Sequence, residues 1–367
     1  MKYVRLSVIP VLLILQTACQ SHVGASPQTP ASLSSNSPQQ NTSATRLTGP
    51  DYEAYVQEIK RHWANNDYQW FESQARKLLG TKERLPGGYW KRRVLYRNIA
   101  GLVNNQSSDE LWLEHIARLE NWATQRPTSA MPRIILAEVW RSYAWKIRGT
   151  GLAKTVKPEN WAPFNERHDK ASKYIAEAAA LEEKCPEWYV GALLLARIEI
   201  PDRREFERLY EQAVTVEPHY YYFYQAKSGY LLPQWHGEDG EWERFAEVAA
   251  NRVGGEQGDI ILFTIYSEML AQNGLDFMET RRLIAPRVLA GFRAIEKLYG
   301  ATPQRLNEAC LISFFADDNK TPAELMKRIG TAYDVRVWKD ESMFNVYRQE
   351  ALMRSGELPR YRHSDQK

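Results

Sequence analysis

From Pro50 onward, apolar residues recur at positions i, i+3, i+4, i+7 and i+8, the stripe an α-helix turns toward a core while its other face stays polar. Four segments carry this template in full: Leu136, Val139, Trp140, Tyr143, Ala144; Ala171, Tyr174, Ile175, Ala178, Ala179; Phe206, Leu209, Tyr210, Ala213, Val214; and Trp242, Phe245, Ala246, Ala249, Ala250. A fifth, Ala285, Val288, Leu289 and Phe292, carries four of the five positions. The first four stripes begin 35, 35 and 36 residues apart. A period near 34 residues with two helices per unit is that of tetratricopeptide-like solenoids, so partner helices are expected over Trp188–Glu199, Tyr220–Leu231 and Asp259–Gln272. No segment alternates with the period of a strand. The expected fold is all-α, a tetratricopeptide-like helical-repeat solenoid over residues 50–355, with roughly fourteen helices and an elongated body instead of one compact core.

The punctuation agrees with this pattern. Pro186 and Pro218 each follow a stripe, where proline stops one helix and suits the first turn of the next. Gly149 is placed to end the Leu136 helix, and the loop from there to Pro158 occupies the place of a partner helix. The run Arg148–Lys154 (RGTGLAK) has glycines and flanking bases but not the GxxxxGK[ST] spacing or the preceding strand of a phosphate loop.

The N-terminal segment has a different character. Lys2 and Arg5 precede the apolar run Leu6–Leu15, which as a helix of about 15 Å is roughly half the length a bilayer core requires. It reads as a signal peptide over 1–18. Leu15-Gln16-Thr17-Ala18-Cys19 resembles the lipobox of bacterial lipoproteins, which implies acylation of Cys19 and anchoring through its acyl chains. Gln16 departs from the aliphatic residue usual at that position, and Val23-Gly24-Ala25 offers a non-lipoprotein cleavage site after Ala25. Gln20, in place of Asp, resembles outer-membrane sorting in a Gram-negative cell, with the body facing the periplasm. Of the 30 residues from 20 to 49, 20 are Ser, Thr, Pro, Gln or Asn, too polar to offset the cost of ordering. Residues 19–49 are therefore expected to be a flexible tether, and 356–367 a flexible polar tail.

Charge narrows the partners. The 367-residue chain has 48 Lys and Arg against 45 Asp and Glu, a formal net charge of +3. Residues 1–49 hold three of the bases, Lys2, Arg5 and Arg46, and no acid, so the body is formally neutral. A neutral body argues against nucleic acid as the main ligand, although a local patch fits inside a zero total.

Candidate chemistry is sparse. Tyr220, Tyr221, Tyr222, Phe223 and Tyr224 surround a helix, because consecutive helical residues point about 100° apart, so some must face a neighbouring repeat or a groove. Trp235 and His236 lie close to Glu238, Asp239 and Glu241, which is raw material for acid–base or metal chemistry. The same residues also suit a turn with Asp239 as helix N-cap and Glu241 at the positive helix end. No histidine pair has metal-ligand spacing, and neither a metal nor a cofactor is expected. Cys185 and Cys310 stand 125 residues apart, farther along a solenoid than the roughly 7 Å a disulfide spans, and are expected as buried free thiols.

Three stretches carry a family resemblance. They are Tyr143-Ala144-Trp145 through Arg148–Gly151 to Thr155-Val156 with Trp161 and Phe164; Pro233, Trp235, Gly237, Trp242, Phe245 and Ala246; and Asn307–Trp338 with Ala323, Ile329, Gly330, Val337 and Trp338. Together they resemble an uncharacterised bacterial family of tetratricopeptide-like domains of unknown function, over roughly residues 50–350. The resemblance implies a fold and a scaffold role and transfers no catalytic residue. The expected function is a membrane-anchored periplasmic scaffold or adaptor that binds a protein partner and is not an enzyme. The alternatives are a cell-wall glycan or peptide binder using Tyr220–Tyr224 and Trp235, and a hydrolase using His236.

Overall fold

The computed structural model describes residues 47–149, 151–181, 184–200, 202–274, 285–316 and 318–359, all within one compact unit, Asn41–Lys367. The expected signal peptide over 1–18, Cys19, Ala25, the expected tether as far as residue 46, Glu182-Glu183 and residues 360–367 of the expected tail lie outside the described residues.

The described residues form sixteen α-helices and one short hairpin. In chain order these are α1 (Pro50–Ala64), α2 (Tyr68–Thr81), β1 (Arg84–Leu85), β2 (Tyr89–Trp90), α3 (Lys91–Ala100), α4 (Asp109–Gln125), α5 (Met131–Arg148) and α6 (Trp161–Ala179). They continue as α7 (Pro186–Glu199), α8 (Arg203–Val216), α9 (Tyr221–Tyr230), α10 (Glu241–Val253), α11 (Gly255–Asn273), α12 (Ala285–Tyr299), α13 (Pro303–Ser313), α14 (Thr321–Ile329), α15 (Val335–Trp338) and α16 (Glu341–Arg354). The strands pair antiparallel, Arg84 opposite Trp90 and Leu85 opposite Tyr89. None of the described helices is long and apolar enough to cross a membrane.

Helices form where the periodicity places them. In α8, Phe206, Tyr210, Ala213 and Val214 are buried on one face, and Asp202 caps the helix by accepting from the Arg204 N–H at 2.9 Å. Trp242, Ala246, Ala249 and Ala250 do the same for α10. The cap of that helix differs from expectation: the N-cap is Gly240, not Asp239, and Glu241 accepts from the Glu238 N–H at 2.9 Å. The three expected partner helices are present as α7, α9 and α11, buried on nearly every side. A helix apolar all round belongs inside, whereas the striped helices α6, α8 and α10 lie outside and keep a solvent face.

The inner helices succeed one another: α3 packs on α5, α5 on α7, α7 on α9 and α9 on α11. The repeat spacing conceals a switch of layer. The Leu136 stripe lies on α5, an inner helix, while the next stripe lies on α6, the outer helix that follows it directly. Only two 3-10 turns, Ala153–Thr155 and Pro158–Asn160, fill the loop between them. The first 35-residue interval therefore spans one helix and a loop, and the later ones a helix pair.

The elongated body expected from sequence differs from the structure at its ends. The Gly87 N–H donates to the Gly300 carbonyl at 2.9 Å, and the Gln304 N–H donates to the Leu47 carbonyl at 2.9 Å. Arg305 Nε donates to the Gly87 carbonyl at 3.1 Å. Gly87 sits at φ +80°, and a Cβ there would lie 2.6 Å from the Tyr89 ring and 3.1 Å from Thr302, so only glycine lets the hairpin approach this closely. The first and last thirds of the body meet, and α13 completes a circuit of six inner helices.

Cys185 and Cys310 are buried free thiols. Burial pushes the Cys310 thiol well above its ordinary value.

Candidate functional site

The inner helices line a central, partly open cavity of about 500 Å³. Each inner helix contributes to its wall: Arg93 and Arg97 from α3, Glu138 and Arg141 from α5, Leu194 and Arg197 from α7, Tyr221, Tyr222 and Gln225 from α9, Ser267, Glu268 and Gln272 from α11, and Gln304, Arg305 and Glu308 from α13. Tyr52 of α1, Tyr89 of β2 and Arg336 of α15 complete it. The wall is polar, and six of its residues are arginines.

Half of those arginines are neutralised by close carboxylates. Arg93 donates to Glu187 at 2.8 Å and to Glu138 at 3.3 Å, and Tyr220 hydrogen-bonds the other oxygen of Glu187 from behind the wall. Arg305 pairs with Glu308 at 2.8 Å and lies over the Tyr89 ring, while Arg336 pairs with Asp334 at 2.6 Å. Burial alone would raise the Glu138 carboxyl, but Arg93, Arg141 and Arg97 bring it down to about 2.

The other three arginines are less well served. Arg97, Arg141 and Arg197 come from three consecutive inner helices, and Arg141 feels the charge of Arg97 as Arg197 feels that of Arg141. Arg141 has only Glu138, at 3.6 Å, which Arg93 also uses. Burial lowers Arg141 from its ordinary value, Glu138 offsets part of that, and Arg93 and Arg97 lower it further. No carboxylate among the described residues pairs with Arg197: its Nε is sealed from solvent without a hydrogen-bond partner, and its guanidinium rests over the Trp235 ring, 4.7 Å from the centroid. Burial pushes Arg197 down to about 10, Arg141 adds to this, and Glu268 opposes it. It therefore remains a cation at neutral pH. Gly229 of α9 leaves room for it, since a Cβ there would stand 3.0 Å from Nη1. The Ser267 hydroxyl, also on the wall, is buried without a partner.

The aromatic run divides as consecutive helix positions must. Tyr221 and Tyr222 reach the cavity, with the Tyr221 hydroxyl donating to that of Tyr222 at 3.0 Å. Tyr220 packs against Trp90 and Tyr224 donates to the Pro218 carbonyl at 2.7 Å, both fully buried away from the cavity. Trp235 lies behind the wall, edge-on to Trp145 and under Arg197. His236 Nε2 donates to the Arg197 carbonyl at 2.8 Å, and its ring stacks on Tyr230. It does not line the cavity, and Glu238 and Asp239 are exposed. Sequence reasoning missed the arginines. Their signal is a base inside an otherwise apolar helical run, as in Leu193-Leu194-Leu195-Ala196-Arg197 and Val139-Trp140-Arg141.

Fold and site thus define an all-α protein of paired helices around an arginine-lined central cavity. Residues 52–200, from α1 through α7, match a family described as Domain of unknown function (DUF4034). No curated protein matches the chain. The matched stretch includes Arg93, Arg97, Glu138, Arg141 and Arg197; the wall contributed by α9, α11 and α13 lies beyond it.

Proposed function

We propose that this chain is a binding protein that takes a polar ligand into the central cavity, with its tetratricopeptide-like helix pairs serving as the frame. Acyl chains on Cys19 hold it at the outer membrane, facing the periplasm. The observation that supports the binding role is the convergence of polar side chains from all six inner helices on one space of about 500 Å³, within the range of small-molecule sites. A fragment of cell-wall glycan suits the site: Tyr221 and Tyr222 offer ring edges and hydroxyls, and Gln225, Gln272 and Gln304 offer amides for sugar hydroxyls. A protein partner, the other occupant expected from sequence, is less well matched, because a space of about 500 Å³ suits a compact ligand better than another folded chain.

The test is a fluorescence titration of the full chain with cell-wall glycan fragments, using Trp145 and Trp235 beside Arg197 as reporters. A saturable change is expected, and Leu194→Trp, which fills the cavity, should abolish it while leaving the helical circular dichroism intact. Equal binding by this variant would refute the cavity as the site.

A further inference from the structure

We infer that the ligand of this cavity carries an oxyanion, a carboxylate or phosphate group, seated among the guanidinium groups of Arg97, Arg141 and Arg197. This rests on the reading of the cavity as a binding site and names the chemistry that the site selects.

The argument is electrostatic and geometric. A buried cation without a carboxylate is costly, and folded proteins usually pair it or replace it. Arg93 and Arg305, both buried, follow that rule here, each with a carboxylate at hydrogen-bond distance, and the exposed Arg336 pairs with Asp334 as well. Arg197 does not: its neighbours are the Trp235 face, a sealed and unpartnered Nε, and the like charge of Arg141. Glu138 is shared between Arg93 and Arg141. Glu268 accepts from the Gln272 amide at 2.6 Å and acts on Arg197 only through space. Counting Glu187 and Asp334 behind the wall, the six arginines still exceed the carboxylates by one.

The surplus is placed for recognition. Guanidinium groups bind carboxylate and phosphate oxygens through paired N–H donors, and here three reach the space from neighbouring helices. Gly229 keeps Arg197 room that a methyl group would take. Trp235 stacks beneath the guanidinium and orients its edge, as aromatic faces do for arginine. An anion entering this space completes a hydrogen-bond set that the protein leaves open. The rest of the ligand lies against Tyr221, Tyr222 and the glutamine amides, so an acidic sugar or a sugar phosphate satisfies both parts.

The experiment uses the full chain with three probes at matched ionic strength: inorganic phosphate, galacturonate as a carboxylate-bearing sugar, and galactose as its neutral counterpart. Phosphate or galacturonate should raise the melting temperature saturably beyond a sodium chloride control, and galacturonate should bind more tightly than galactose. Preference between the two anions tells phosphate from carboxylate recognition. Arg197→Gln should weaken anion binding about 10- to 100-fold, the loss of a charge-assisted hydrogen bond, and weaken galactose binding far less. The ligand-free variant should melt as high as the parent or higher, because an uncompensated, half-buried charge is gone. Arg97→Gln, at an exposed position where folding is not at stake, should also weaken anion binding. Unchanged anion affinity in both variants overturns the proposal, as does galactose binding as tightly as galacturonate. Failure of phosphate and galacturonate alike also overturns the proposal, whereas the binding reading itself falls only if the glycan fragments fail too.

Discussion

At the scale of single residues, His115 makes the fold sensitive to mild acid. It is buried against the edge of Trp63 with Nε2 unpartnered. Burial pushes its pKa down from 6.5 to about 4; a hydrogen bond with the Ile99 backbone opposes this and Arg118 adds to it. The folded state therefore favours the neutral ring. Its contribution to stability is fully present above the unfolded value near 6.5 and is lost as pH falls toward 4, by up to about 3 kcal/mol. The difference in unfolding free energy between parent and His115→Gln should narrow by roughly that amount between pH 7 and pH 4 in urea titrations. A pH-independent difference would contradict the assignment. The tyrosine run shows the same dependence on local surroundings. Nearby residues of one helix end up in different environments, Tyr222 on the cavity and Tyr224 buried away from it, because a helix turns about 100° per residue.

At the scale of elements, contact distance between helices matters more than propensity. Gly291 lies where α12 crosses α11, and a Cβ there would fall 2.0 Å from the Asp259 carbonyl oxygen. Arg287 bonds Asp259 at 3.1 Å and Asn251 at 2.7 Å and ties α12 to its neighbours. Gly291→Ala should therefore force the pair apart and destabilise the protein by about 1–3 kcal/mol. Gly80, in the last turn of α2, has open space around it. Gly80→Ala should stabilise by up to about 1 kcal/mol through helix propensity alone. Denaturant midpoints for the two variants should shift in opposite directions, and a shift in the same direction would show that crossing distance is not what requires Gly291.

At the scale of the whole molecule, two devices are expected to act together: a tether that reaches from a lipid anchor and a cavity that collects a ligand. Cys19→Ser should abolish acyl labelling and release the protein to the soluble periplasmic fraction, since several acyl chains hold far more firmly than one. Unchanged membrane retention would refute acylation at Cys19. The neutral total of the body carries less meaning than it suggests, because the balance conceals a local surplus of cations on the cavity wall.

Much of this was legible from the sequence. Helix positions, the striped segments and their partner helices, the Gly149 stop and the free thiols follow from local periodicity and spacing, which depend on neighbours a few residues away. The Leu136-to-Ala171 interval was misleading, because a period counts residues and does not distinguish an inner helix from an outer one. The cavity was not legible. Arg97, Arg141 and Arg197 are 44 and 56 residues apart in sequence, and they share a wall because α3, α5 and α7 pack in succession, while the contacts of Gly87, Arg305 and Leu47 bring α13 with Arg305 and Glu308 to the same space. The sequence by itself determined which segments are helical and which faces are apolar, since those follow from the backbone's own repeat. Only the tertiary structure decided that the helix pairs close into a circuit, and closure is what gathers charges from remote segments into one site.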